Sequence, residues 1–251
     1  MSCAIDRKPV TSIALGVLIT RPEPGAQESA RAVQALGWQP ILAPALTLTA
    51  LPQKGAWPRA QALLLTSRAA ARALTAWPIK VFAVGKGTAA EAAARGFTDI
   101  TAAAGDAASL TEQLSSMLRP EAGALCLAVG EGYGLELAAA LRGKGFRVIR
   151  RVVYAARPAP SLPAEAQAAL QAGSVHAALF TSPRAVRESL RLLRAAGLSD
   201  TARGVIAIAL SPRIATALAP LPWAEIRVAA QPDHTLLLRR LGAPDMLDCT
   251  P

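Results

Sequence analysis

The chain is short of the residues that supply strong chemistry in most enzymes. It has 2 histidines and 3 cysteines among 251 residues. His176 and His234 lie far apart, and Cys3, Cys126 and Cys249 share no close spacing. That pattern writes neither a disulfide framework nor a Cys/His metal site, and it fits a reducing compartment. Aromatic residues make up only 4% of the chain, too few to interleave with basic blocks as single-strand binders require. No phosphate-binding P-loop, no G-x-S-x-G elbow and no Ser-His-Asp set occurs. Gly85-x-Gly87 lacks the third glycine of a dinucleotide fingerprint. Long apolar runs are also missing. Residues 13–19 are too few to span a bilayer, and 205–224 contains Arg213 and three prolines. Arg7 and Lys8 imitate the start of a signal peptide, but Arg21-Pro22 stands where a small-residue cleavage site belongs. What these absences leave is a site that binds and orients, without a strong nucleophile.

Acidic residues are scarce as well, 17 against 27 basic, for a net charge of +10. Two readings stay open: a composition rich in Arg and Ala, or attraction to an acidic ligand. The densest basic stretches, 142–151 and 184–194, include one with helical spacing that also reads as a solvated face, so nucleic acid is not the favoured partner. Hydrophobic residues make up 52%, much of it alanine, which indicates a helix-rich globular chain able to bury a core. The length allows one domain or two of roughly 125 residues.

The strongest positive signal is a peptide that occurs twice. Residues 63–70 read LLLTSRAA and residues 178–186 read ALFTSPRAV. Each is an apolar run, then Thr-Ser, then Arg before an Ala-rich helical stretch. Continuous apolar runs mark strands covered on both faces. They predict strands over 15–20, 38–44, 62–65, 81–84, 97–101, 124–129, 146–154, 177–180, 205–209 and 226–229. Helical patterns fall between them, over 28–36, 68–76, 89–95, 109–118, 135–142, 164–172, 184–196, 214–218 and 235–241. Gly37 and Gly145 close two of these helices, and each is followed by an aromatic residue. Ser109 with Glu112 fits a capping box. The alternation predicts parallel sheets. Its units run β-loop-α-β, Thr-Ser unit, β-loop-α-β, Thr-Ser unit. The domains are therefore either the first and second halves, or a continuous middle with the two outer pieces paired around it.

Four turns are predicted to follow strands and open helices: Thr66-Ser67-Arg68, Gly85-Lys86-Gly87-Thr88, Thr181-Ser182-Pro183 and Ser211-Pro212-Arg213. A hydroxyl there caps the helix, and proline suits the first helical position. The same place presents free N–H groups to an anion, at the strand ends where open α/β sheets bind ligands.

In order and spacing, these segments resemble the uroporphyrinogen-III synthase family. The resemblance runs from about residue 15 to residue 241. It rests on VLITRP at 17–22, LLLTSRAAARAL at 63–74, VFAVGKGTAAEAAARGF at 81–97 and RVVYAARP at 151–158. ALFTSPRAV, AIALSPRIA at 207–215 and IRVAAQPDHTLLLRRL at 226–241 complete it. It implies an α/β chain of two similar domains, each a parallel sheet flanked by helices (flavodoxin-like), joined by a two-segment β linker. One domain would join 15–44 with 160–241 and the other would span 50–150. The linkers would be 45–51 and 151–158, running antiparallel, with flexible tails at 1–12 and 243–251. The implied reaction is cyclisation of hydroxymethylbilane, a linear tetrapyrrole with eight carboxylates, to uroporphyrinogen III, with loss of water and inversion of ring D. The family needs no cofactor. The implied enzyme is a cytoplasmic monomer with no metal, no nucleic-acid partner and no membrane partner. Carried over residue by residue, Arg21, Thr66, Ser67, Gly85, Thr88, Thr181, Ser182 and Ser211 line a cleft between domains. Tyr154, at the end of the VVY strand, assists loss of the hydroxyl; its other reading is a linker tyrosine packed on a domain. The first Thr-Ser turn departs from the second in lacking proline, and Ser211-Pro212-Arg213 stands where many relatives have a Gly-containing turn with threonines. The alternative function is a two-domain protein that binds an acidic small molecule without catalysis.

Overall fold

The computed structural model describes residues 15–53, 55–242 and 244. The chain divides into two compact units. One comprises the described residues up to Leu46 and from Pro158 onward, and the other is Thr47–Arg157. Strand β1 (Gly16–Ile19), helix α1 (Gly25–Ala35) and strand β2 (Gln39–Leu42) open the first unit. Strand β3 (Leu46–Ala50) leads into the second, which continues with β4 (Ala62–Leu65), α2 (Arg68–Arg72), β5 (Val81–Ala83), α3 (Lys86–Ala94) and β6 (Ile100–Ala102). It closes with α4 (Ala107–Met117), β7 (Leu125–Gly130), α5 (Leu135–Gly143) and β8 (Val148–Pro158). The chain then returns to the first unit with α6 (Ala164–Gln171), β9 (Val175–Phe180), α7 (Pro183–Ala195), β10 (Ile206–Ala209), α8 (Pro212–Leu218), β11 (Glu225–Val228) and α9 (His234–Leu238).

The two sheets share one plan. The first is ordered β11-β10-β9-β1-β2, with every neighbouring pair parallel. The second is ordered β3-β8-β7-β4-β5-β6, and its five strands from β8 to β6 are likewise parallel. If β7 is matched to β1, β8 to β2, and β4, β5 and β6 to β9, β10 and β11, the spatial orders coincide. The units are the same sheet with its chain order permuted, and the first has the doubly wound 2-1-3-4-5 order. Ala159 N–H donates to Ala45 O at 2.9 Å and Leu51 N–H to Val153 O at 2.8 Å. One index rises as the other falls, so the two connecting segments run antiparallel.

The central strands β4 and β7 are apolar throughout because both faces are covered. All four residues of β4 and all six of β7 are buried. Their period of two divides the second unit's core: Leu64, Phe82, Leu125 and Leu127 pack on one face, and Leu63, Leu65, Cys126 and Ala128 on the other. Each fully buried leucine contributes about 2 kcal/mol. The first unit divides likewise, with Leu18, Ala178 and Phe180 opposite Val17, Ile19 and Leu179. Thr20 ties β1 to β9 through a buried hydroxyl that donates to Leu179 O at 2.6 Å.

Several boundaries differ from the expectations above: α1 begins at Gly25 rather than at 28, α9 ends at Leu238 rather than at 241, and β6 spans Ile100–Ala102 rather than 97–101. α2 ends at Arg72 rather than at 76. α3 begins at Lys86, so the supposed turn Lys86-Gly87-Thr88 is its first turn, with Gly85 as N-cap. α4 is capped by Asp106, whose carboxylate accepts from Ser109 N at 2.7 Å; Ser109 is therefore inside the helix and no capping box forms. β8 runs without a break to Pro158, so linker and strand are one element. Cys3, Cys249, the 1–12 tail and all of the 243–251 tail except Pro244 lie outside the described residues.

Candidate active site

In the second unit, β4 and β7 are the neighbours at which chain order reverses, the place where doubly wound sheets hold ligands. Beyond their C-terminal ends lies an open cavity of about 660 Å³, lined by Thr66, Ser67, Tyr133, Leu135 and Tyr154 among others. That size is ordinary for a small-molecule site.

Ser67 does two things there. As N-cap of α2, its Oγ accepts from Ala70 N at 3.1 Å. Its own proton points to Tyr154 Oη at 3.3 Å. Because Tyr154 Oη accepts from Ser67, its O–H is directed away from that serine. Ala70 N–H is already occupied, and α2 is only five residues long. One of the amides expected to be free at this turn is therefore spent on capping.

Tyr154 is aimed by an irregularity in its own strand. β7 and β8 pair Val129 with Val152 and then Gly130 with Tyr154, which leaves Val153 as an extra residue. Such a bulge re-aims the side chains beyond it. Val153 and Tyr154 consequently pack against the same face, which regular alternation forbids. The following loop is tied to β8 at three points: Glu131 N donates to Tyr154 O at 2.9 Å, Arg150 Nε to Tyr133 O at 2.7 Å, and Arg157 pairs with Glu131 at 2.8 Å. The last pair is exposed and adds little stability. Gly132 and Gly134 both adopt φ +82, which a side chain resists. Tyr133 and Leu135 stand 59% and 63% exposed at the cavity. Gly130, Tyr133 and Leu135 were not singled out from the sequence. The Gly-rich string 130–134 was the available sequence signal.

Gly85 and Thr88 lie in the same unit but do not line this cavity. Gly85 packs against Gly105, where an added Cβ would sit 3.2 Å from Gly105 Cα. Thr88 is buried, 6% exposed, inside the first turn of α3.

The first unit presents its own strand ends. Arg21 follows β1, Thr181 and Ser182 follow β9, and Ser211 follows β10. Ser182 repeats the geometry of Ser67: its Oγ accepts from Ala185 N at 3.1 Å, and Pro183 opens α7. Ser211 is the N-cap of α8 but makes no side-chain cap bond. Arg21 folds over the start of α1. A Cβ on Gly25 would lie 2.2 Å from its Nε, and Nη1 donates to Ser29 Oγ at 3.5 Å. Ser29 Oγ is in turn 2.9 Å from His234 Nε2. Burial, reinforced by the Arg21 charge, holds His234 below its usual range against the opposing pull of Asp233. In the second unit, burial pushes the Cys126 thiol up, and nearby Arg151 offsets part of this. Among the described residues no group of three or more His, Cys, Asp or Glu could hold a metal ion. None of the described helices is long and apolar enough to cross a membrane.

The model of the family described as uroporphyrinogen-III synthase HemD matches residues 27–238. The chain belongs to the uroporphyrinogen-III synthase family. It is accordingly a cyclising lyase of tetrapyrrole biosynthesis, acting on hydroxymethylbilane. The fold is similar to the crystal structure of uroporphyrinogen-III synthetase from Helicobacter pylori 26695, at 15% identity and a TM-score of 0.59, covering 90% of this chain and 98% of that one. A mutant uroporphyrinogen III synthase from the extremely thermophilic bacterium Thermus thermophilus matches at 19% identity over 91% of this chain and 96% of its own, with a TM-score of 0.44 that is too low to bear on the fold. No curated relative matches in sequence.

Proposed function

We propose that this chain converts hydroxymethylbilane to uroporphyrinogen III with Tyr154 as the proton donor to the departing hydroxyl. The observation that carries this assignment is the Ser67–Tyr154 pair at 3.3 Å on the cavity wall. The substrate's own pyrrole nitrogen pushes out the hydroxyl and leaves an azafulvene. A phenol that protonates the leaving oxygen completes the loss of water. The azafulvene carbon is then attacked by a pyrrole of ring D, the spiro intermediate reopens with ring D inverted, and closure releases a proton. Substrate and product differ by one water, so no cofactor is called for. Much of the rate is then orientation of a flexible chain of four rings. Tyr133 and Leu135 offer apolar surface for a pyrrole face. Carboxylates are met by the hydroxyls and backbone amides at Thr66, Thr181, Ser182 and Ser211, and by Arg21, under the attraction of the +10 net charge. Gly85 serves this reading through the turn that opens α3, and Thr88 through packing beneath it. We place the enzyme in the cytoplasm as a monomer.

Tyr154→Phe tests the assignment. A kcat about 10²-fold lower, at nearly unchanged KM, is expected, near the low end for a general acid because the pyrrole supplies much of the push. Unchanged turnover removes Tyr154 from the mechanism.

A further inference from the structure

We infer that Gly130 is a positioning residue for the reaction, because the absence of its side chain is the seat of the Tyr154 ring. The inference rests on the reading of Tyr154 as proton donor. A Cβ at Gly130 would lie 2.5 Å from Tyr154 Cζ and 2.8 Å from both Cε2 and Oη. Carbon atoms do not approach so closely, so any side chain at Gly130 displaces the ring from the end of β7. Gly130 is not in the left-handed region, so backbone freedom does not explain why glycine stands here. Space does.

Three further features locate the effect at the phenol. The bulge at Val153 places Tyr154 directly opposite Gly130. The bond from Glu131 N to Tyr154 O fixes the backbone at the same point. The ring also meets Ser67, whose hydroxyl donates to Oη at 3.3 Å. Gly130 thus sets where the ring lies, and Ser67 sets which way the hydroxyl proton points. A ring pushed off this seat loses Ser67 and carries Oη away from its present place on the cavity wall. Neither change alters the carboxylate contacts assigned above, so turnover responds and substrate affinity does not.

A double-mutant cycle with Gly130→Ala and Tyr154→Ala tests this, read out by kcat, KM, the ratio of III to I isomer and the melting temperature. Gly130→Ala is expected to lower kcat about 10²-fold, as much as loss of the phenol, with KM within about threefold of wild type. In the Tyr154→Ala background the same change is expected to cost nothing further in kcat, because the atoms it strikes are gone. The melting temperature lost in Gly130→Ala should be regained in the double variant. The inference is overturned if Gly130→Ala keeps wild-type kcat, or if the two losses multiply. If Gly130→Ala alone does not fold, the double variant is compared with Tyr154→Ala: equal kcat and melting temperature support the seat, and lower values overturn it. If Tyr154→Ala itself turns over at the wild-type rate, the proton-donor reading fails. The melting temperatures then decide the seat alone, with coupling supporting it and additivity overturning it.

Discussion

Ser67→Ala removes two hydrogen bonds at once, and their costs fall on different observables. The bond from Ala70 N belongs to the folded state, and Ala70 is fully buried, so its N–H is left without a partner. An N-cap substitution costs about 1 kcal/mol, and a buried unsatisfied donor raises that to about 2 kcal/mol. For a chain of this length, that lowers the melting temperature by about 4–8 °C. The bond to Tyr154 Oη belongs to turnover. At 3.3 Å it is a modest contact, worth about 1 kcal/mol, and its loss slows kcat about fivefold. Ser182→Ala is the internal control. It breaks an identical cap, 3.1 Å from the equally buried Ala185 N, so the melting temperature should fall by a similar amount. Its role lies in binding, so its kinetic cost should appear in KM while kcat holds. Ser67→Thr keeps the hydroxyl and should restore both properties. The assays are thermal unfolding followed by circular dichroism and steady-state kinetics with product isomers resolved. Equal kcat losses in Ser67→Ala and Ser182→Ala, or an unchanged melting temperature in Ser67→Ala, would refute the division of labour between capping and phenol orientation.

Three other outcomes are expected. Leu64→Ala opens a cavity at the centre of the second sheet and should cost about 3 kcal/mol, measured by denaturant unfolding. His234 titrates lower in the folded chain than the ordinary histidine value of 6.5 because of burial and Arg21. Below that value the unfolded chain binds more protons, so this contribution is complete above about pH 6.5 and is lost as pH falls through the folded value. His234→Gln should flatten that part of the pH-stability curve, and an unchanged slope would remove His234 from the account. Arg21→Gln should raise KM more than it lowers kcat, and a pure kcat effect would contradict its place among the carboxylate contacts.

The buried strands were legible because parallel sheets covered on both faces leave unbroken apolar runs, as in 62–65 and 124–129. The Gly-aromatic steps marked helix ends for the same local reason: Gly37 and Gly145 have φ of +85 and +87. Helix starts were harder. Lys86-Gly87-Thr88 carries a glycine that reads as a turn, yet packing makes it the first turn of α3. Asp106 outcompeted Ser109 as a cap because a carboxylate at that position reaches Ser109 N at 2.7 Å. The twin Thr-Ser turns drew notice to Ser67 and the resemblance of the VVY strand drew notice to Tyr154, and both residues line the cavity. Gly130 was out of reach, since its meaning depends on a register shift between two strands and on a ring placed opposite it. No local pattern around 130–134 encodes that pairing.

The most direct measurement supplies hydroxymethylbilane to the purified chain and resolves the uroporphyrinogen isomers formed. The account predicts isomer III, formed faster than spontaneous closure. Isomer I alone, at the rate seen without protein, would contradict it.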